Sequence, residues 1–401
     1  MNLFKKILLI SCLLVILVYV TNITSIPSQV VLFEGEELNL GTVYGITIKD
    51  KNNENQVVKT SSNLNNNNNE TITISLFNIV DVKDVQVDTI PRTTVVPLGN
   101  TIGLKLYTSG VLVVGLTEVN GVKPYENTGI EEGDLIVCVN GVDVTTTEEL
   151  TECVDESKGK ELEITYIKDG KELTTNMTAT KTSSNEYKLG LWVRDGAAGV
   201  GTISYYEPST GMFAALGHGI VDIDTEELVT ISKGTVVTTN ITEIVKGEKG
   251  TPGEIKGTII NGLEVGKVYD NSEFGIYGTL TNLSSLNINS EEQYEVALRD
   301  EIKEGKAEII INLEDGTRKN YGIEITKIYK NNNSDNKSMI IKVTDEELLN
   351  LTGGIIQGMS GAPIVQDKKF IGAVTHVLVS DPTTGYAVFG DLMIKQMRTA
   401  K

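Results

Sequence analysis

GGIIQGMSGAPIV, residues 353–365, sets one serine between two glycines, with a proline three positions on. Ser360 stands in Gly358-Met359-Ser360-Gly361-Ala362-Pro363. Glycines on both sides permit backbone angles that other residues resist, and they let a second chain approach the main chain closely. Such a turn can point a hydroxyl outward and aim successive N–H groups at one spot. Acyl transfer needs that pairing of a nucleophile with an oxyanion hole. The same letters also fit an ordinary hairpin between two strands, because glycine and serine dominate turns.

A nucleophilic serine needs a base that titrates near neutrality, and histidine is the usual one. The chain has two histidines. His218 follows the strand-like MFAAL in Gly217-His218-Gly219, where a side chain at a strand end can turn toward a partner. His376 lies inside an apolar run, FIGAVTHVLV. His218 is therefore the expected base, and His376 is expected to line a pocket. Two histidines and no H-E-x-x-H pattern argue against a zinc peptidase. No metal or other cofactor is expected.

The whole chain is consistent with several domains rich in β structure. It has 401 residues, more than one domain usually holds. Aromatics are few, Val, Ile and Thr are plentiful, and there are 39 glycines. The net charge of −19 excludes a nucleic-acid surface and an electrostatic grip on anionic lipid. Three cysteines make no disulfide framework. Cys12 sits in the first apolar run. Cys138 and Cys153 read as buried apolar residues, and a bridge between them is neither required nor ruled out.

Residues 1–27 form a signal or anchor segment. Lys5 and Lys6 precede an apolar run from Ile7 to Val20, interrupted only by Ser11, and TNITSIPSQ offers no A-x-A cleavage site. An uncleaved or late-cleaved anchor is expected, with the lysines cytoplasmic and the rest outside. Residues 28–97 show period-2 runs and should form a small β module. It is interrupted by an asparagine-rich tract, KDKNNENQVVKTSSNLNNNNNE, too polar to pack and expected to be a flexible loop or hairpin excursion.

Residues 98–180 resemble a PDZ domain. The residues carrying that likeness are the glycine-flanked strand Ser109–Gly115 and GIEEGDLIVCVNG, with a helix that starts at threonines and has Glu148 and Glu149 in its first turn. The resemblance implies strand addition of an extended peptide, with Gly110, Val111, Leu112 and Val113 as the receiving edge. The ligand would be a substrate tail or the chain's own N-terminal region. From about 181 to 401 the pattern is strands and glycine turns.

That last region resembles the chymotrypsin-like serine peptidases. Gly358-Met359-Ser360-Gly361-Ala362-Pro363 is followed by IVQDKKF and then Gly372-Ala373-Val374-Thr375-His376, and TISYYEPSTGMFAALGH resembles the hairpin that positions the histidine. The likeness implies a mainly β, double β-barrel peptidase domain. It implies an oxyanion hole from the N–H groups of Gly358 and Ser360, and a specificity pocket walled by Thr375 and His376. With the anchor and the PDZ unit, ALGHGI and GGIIQGMSGAPI followed by GAVTHVLVSDPTTGY resemble the SpoIVB peptidase family across nearly the whole chain. That family implies a membrane-tethered serine endopeptidase of endospore formers, working in the space around the forespore. Its protein substrate would be a membrane-bound regulator of an intramembrane protease, whose cleavage releases sigma-factor processing. The family's aspartate corresponds to Asp345 in KVTDEELLNLTGG, where Thr344 and Glu347 also read as a capping box. Asp222 and Asp224 are the rival acids. A non-catalytic PDZ scaffold and a broad quality-control protease are the other readings that the residues leave open.

Overall fold

The computed structural model describes residues 3–36, 38–39, 44–50, 57–58, 61–62, 70–77, 79–314, 317–330 and 336–400. Most of the asparagine-rich tract, expected as a loop, lies outside the described residues. Four helices are named here: α1 (Leu3–Ser25), α2 (Thr147–Ser157), α3 (Glu346–Thr352) and α4 (Gly390–Thr399).

Two antiparallel barrels form the body. The first closes in the order Thr101–Leu116, Leu191–Glu207, Met212–Ala215, Gly275–Leu280, Glu254–Ser272, Ile231–Val245 and back to Thr101–Leu116. The second closes as Gly305–Glu314, Thr317–Ile328, Met339–Val343, Thr384–Phe389, Lys369–Val377, Pro363–Gln366 and back to Gly305–Glu314. Alternation explains both. Ala307, Ile309, Ile311 and Leu313 point inward from one strand, and Ile102, Leu104 and Leu106 do so from another. Closure leaves no open sheet edge in either barrel. This is the double barrel that the resemblance to chymotrypsin-like serine peptidases implies.

The PDZ unit grows out of the first barrel. Thr101–Leu116 starts in that barrel and ends in the PDZ unit, and Leu191–Glu207 returns beside it from Leu191↔Leu116 to Thr202↔Thr101. Residue 98 lies three residues before the first shared strand, and residue 181 lies ten before the second. One continuous strand serves both bodies, so no shift in composition marks the junction. Leu135–Val139, Glu161–Lys168, Lys171–Thr178 and α2 complete the unit around Val111, Val113, Ile136, Leu162 and Ile164. Thr146 and Glu149 form the capping box at the start of α2. Cys138 and Cys153 are unbridged.

The N-terminal module is a sheet in the order Gln29–Phe33, Val80–Ile90, Glu70–Leu76, Ile46–Asp50, Val57–Val58. α1 is long and apolar enough to cross a membrane. At the other end of the chain, α4 fastens to both barrels and to this module. Arg398 pairs with Glu207, and Lys395 Nζ lies 2.6 Å from Asp88. Asp391, fully buried, accepts from the Arg299 backbone N–H at 3.0 Å and from its guanidinium twice at 2.9 Å. Arg299→Met would leave that carboxylate buried without its cation. The expected loss is about 3–5 kcal/mol of stability. A urea midpoint unchanged from wild type would refute this account of how α4 is held.

Candidate active site

The His218 turn is a strained one. Met212–Ala215 ends, and Leu216 and Gly217 both take left-handed backbone angles, φ +68° and +69°. A bulky leucine adopts this conformation only when its surroundings impose it. Here the Leu216 N–H donates to the Thr202 carbonyl at 3.1 Å. The Ser360 turn is built on Gly358 (φ +94°) and Gly361 (φ +96°), with Ile355, Ile356 and Met359 buried beneath it. A Cβ on Gly361 would strike the Thr202 carbonyl and the Leu216 backbone.

Thr202 therefore joins the two turns. Its Oγ1 donates to the Gly358 carbonyl at 2.7 Å, and its N–H donates to the Ser360 carbonyl at 3.0 Å. Nothing in the sequence singles this threonine out. Its only signal is a place in a strand, and its role depends on two loops that are distant in the chain.

Ser360, His218, Gly358, Thr375 and His376 line one cleft of about 470 Å³. Its other walls are largely apolar, including Leu104, Val200, Ile220, Ile355 and Val377. The Ser360 hydroxyl donates to the Thr375 carbonyl at 2.7 Å. His218 Nδ1 lies 2.8 Å from the Gly219 carbonyl. A carbonyl can only accept, so Nδ1 carries the proton and Nε2 the lone pair. Burial pushes the His218 pKa down, and the Gly219 hydrogen bond partly offsets this. The His218 and His376 rings lie 4.8 Å apart, tilted by 33°. His376 is exposed, whereas Thr375 is buried with its Oγ1 donating to the Asn336 carbonyl at 3.0 Å. Among the described residues, neither the Gly358 N–H nor the Ser360 N–H has an acceptor.

The three candidate acids have other partners. Asp345 is itself the N-cap of α3, where Thr344 was expected. Its carboxylate accepts from the Leu348 N–H at 3.1 Å and from the Gly322 N–H at 3.3 Å. An aspartate caps as well as a threonine, and the second bond, to a neighbouring strand, is visible only in the fold. Asp222 and Asp224 both pair with Arg194. Burial raises the Asp222 pKa, but the Asp224 and Thr225 N–H groups and Arg194 outweigh it and leave it below the ordinary value. These two aspartates brace the loop after His218 against the strand that returns from the PDZ unit.

The expected peptide edge at Gly110–Val113 is not open. Val111 and Leu112 pair with Ile136 and Leu135 on one side, and Leu112 and Val113 with Arg194 and Val193 on the other. Val111 and Val113 are fully buried. Gly110 serves a close crossing, since a Cβ there would meet the Val137 side chain at 2.9 Å. An apolar glycine-flanked strand reads alike whether it is central or at an edge. A groove of about 600 Å³ lies instead between Leu189–Val193 and α2, where Leu150 and Val154 form its floor and Trp192 its exposed rim.

Two protein-family models match this chain. The protein-family model for the SpoIVB peptidase S55 matches residues 185–394, and that for the PDZ domain matches residues 92–178. A zinc metalloprotease RasP from Shouchella clausii is 38% identical over 81 residues, 20% of this chain and 19% of that protein. The chain thus spans about a fifth of that curated relative. Among solved structures, the PDZ domain of an SdrC-like protein from Listeria monocytogenes is 21% identical with a TM-score of 0.19, covering 21% of this chain and 87% of that one. An HtrA-type protease AlgW with a decapeptide is 10% identical with a TM-score of 0.32, covering 76% of this chain and 65% of that one. With a match over half its length, and with the matching turns carrying Ser360 and His218 into one cleft, this chain belongs to the SpoIVB peptidase S55 family of serine peptidases and contains a PDZ domain.

Proposed function

We propose that the protein is a membrane-tethered serine endopeptidase in which Ser360 is the nucleophile and His218 the base. The observation that carries this is the shared cleft, where the serine turn and the histidine turn meet on Thr202 and two N–H groups stand without acceptors. In this reading the Ser360 hydroxyl leaves the Thr375 carbonyl and passes its proton to His218 Nε2. Oγ then attacks the scissile carbonyl, and the oxyanion forms beside the Gly358 and Ser360 N–H groups. His218 passes the proton to the leaving amine. A water that loses its proton to His218 then releases the acyl group. The Gly219 carbonyl holds the ring throughout. The apolar walls favour a small apolar side chain next to the cut bond, and His376 stands where it can select it.

The wider role we propose, by resemblance to the family, is cleavage of a membrane-bound regulatory protein during endospore formation, in the space around the forespore, leading to sigma-factor processing. The groove at Leu189–Val193 is the place for an extended peptide, from the substrate or from the chain's own N-terminal region, added as a strand beside Leu191–Val193. A serine-directed phosphonate tests the enzyme reading. It should label Ser360 stoichiometrically and stop cleavage, and absence of labelling would favour a non-catalytic scaffold. Casein turnover separates a dedicated enzyme, which should leave casein intact, from a broad quality-control protease.

Asparagine caps helices as well as aspartate does, so Asp345→Asn tests the acid by itself. If Asp345 acts as a cap, this variant keeps its turnover within about threefold, while Asp345→Ala loses about 1 kcal/mol of stability. A fall of about 10⁴ in kcat for Asp345→Asn would instead make it the orienting acid.

A further inference from the structure

An apolar tip on the N-terminal module is left unused by the peptidase reading. Tyr44, Phe77, Ile79 and Val80 stand together where the Glu70–Leu76 strand turns into Val80–Ile90, beside the start of Ile46–Asp50. Tyr44 is 90% exposed and Ile79 81%. Solvent-facing turns rarely gather such side chains without a partner.

Their neighbour is α1. The Tyr19 ring packs on Phe77 with centroids 6.0 Å apart, and the Tyr19 hydroxyl donates to the Tyr44 carbonyl at 2.6 Å. Tyr19, Ile23 and Ile26 face the module, while α1 from Ile7 to Val18 is exposed apolar surface. Helix rise puts Tyr19 roughly 20 Å beyond Lys6 and Ile26 roughly 30 Å beyond it, the thickness of a hydrocarbon layer. Strand rise agrees. Lys83 Nζ donates to the Ile26 carbonyl, so Lys83 is level with the end of α1. Three residues back, Val80 lies roughly 10 Å lower. That is the depth of Tyr19, since the helix from Ile26 back to Tyr19 is also roughly 10 Å.

The nearest charged group, Asp81 beside Val80, accepts from the Ser75 hydroxyl at 2.5 Å, and other polar groups nearby are paired within the protein. The Phe77 N–H donates to the Gly45 carbonyl at 2.5 Å, and the Ile79 N–H to the Leu76 carbonyl at 3.0 Å. On α1 the hydroxyls of Thr21, Thr24 and Ser25 donate to the carbonyls of Leu17, Val20 and Asn22. Unsatisfied groups would be costly there. By these rises the tip and the Tyr19 ring lie roughly 10 Å inside the outer hydrocarbon edge, within the outer leaflet.

We propose that this tip inserts into the outer leaflet of the bilayer that α1 spans, as a second point of attachment beside the helix. The proposal rests on the reading of α1 as a membrane anchor. Two contacts fix the tilt of the module, and the Asp88–Lys395 pair carries that constraint to α4 and the barrels. The catalytic cleft is then held at one height above the membrane, as a membrane-bound substrate requires.

The test uses the full chain carrying Ile79→Trp in phosphatidylcholine vesicles brominated near the middle of the acyl chains. The wild type has one tryptophan, Trp192 in the PDZ unit, as its baseline. The variant should show blue-shifted emission quenched several-fold more than wild type. Adding anionic lipid should not strengthen this, because the charged side chain next to Val80 is Asp81, an anion, and Lys83 donates to the Ile26 carbonyl. Alkaline carbonate extraction is run on the same vesicles. Chain retained but no added quenching would overturn the proposal while leaving the anchor standing. Chain extracted by carbonate would refute the anchor and the proposal with it. Val80→Trp should give the same result, which keeps the test decisive if Ile79→Trp fails to fold.

Discussion

Ser360→Ala is expected to abolish peptide cleavage, by about 10⁵–10⁶ in kcat, with no change in the unfolding midpoint. The magnitude follows from the chemistry: without the hydroxyl no acyl-enzyme forms, and only the oxyanion donors and substrate binding remain. The fold should tolerate the change because the hydroxyl supports little. It makes one hydrogen bond, to the Thr375 carbonyl, while the backbone of the turn is held by Thr202. Turnover near that of wild type would sink the assignment of the nucleophile. Thr202→Val is the informative companion, since it removes the bond to the Gly358 carbonyl and leaves the serine in place.

The two histidines should separate by several orders of magnitude. His218→Ala should lower kcat by about 10⁴ or more, because an isolated serine hydroxyl is a poor nucleophile near neutrality. His376→Ala should mainly change KM and the choice of side chain at the cut bond, because it lines the cleft at an exposed strand position. An inactive His376→Ala beside an active His218→Ala would mean that Ser360 takes its base from the neighbouring strand. The pH profile adds a signature. Burial holds the His218 pKa below the ordinary value of about 6.5, with the Gly219 carbonyl as a partial offset. The acid limb of kcat/KM should therefore fall below pH 6.5, as His218 gains a proton and can no longer accept one from Ser360. The sign for stability is the same. The unfolded chain protonates this histidine first, so His218 opposes folding as pH drops below about 6.5 and has no such effect above it.

The sequence by itself determined the class of the fold and the two ends of the chemistry. Alternating runs such as AEIIINL dictate strands buried on one face, because side chains alternate across a strand wherever it sits. Gly358 and Gly361 around Ser360, and Gly217 before His218, mark turns that need left-handed angles, and the structure uses all three in that way. α1 was legible from length and apolarity alone. Each of these is a local property, carried by neighbours in the chain.

The tertiary structure decided what depends on residues far apart. Gly110–Val113 has the composition of a strand, but only pairing shows that it is flanked on both sides and that the open groove lies at Leu189–Val193. The first barrel takes strands from both sides of the PDZ unit, because Thr101–Leu116 and Leu191–Glu207 are parts of both. Asp345 reads as a free first-turn carboxylate until Gly322, on another strand, takes one of its oxygens. Thr202 had no signal at all, since its three contacts reach loops more than a dozen residues away in the chain. A residue's propensity belongs to its own backbone, whereas its hydrogen-bonding partner is chosen by how the barrels close.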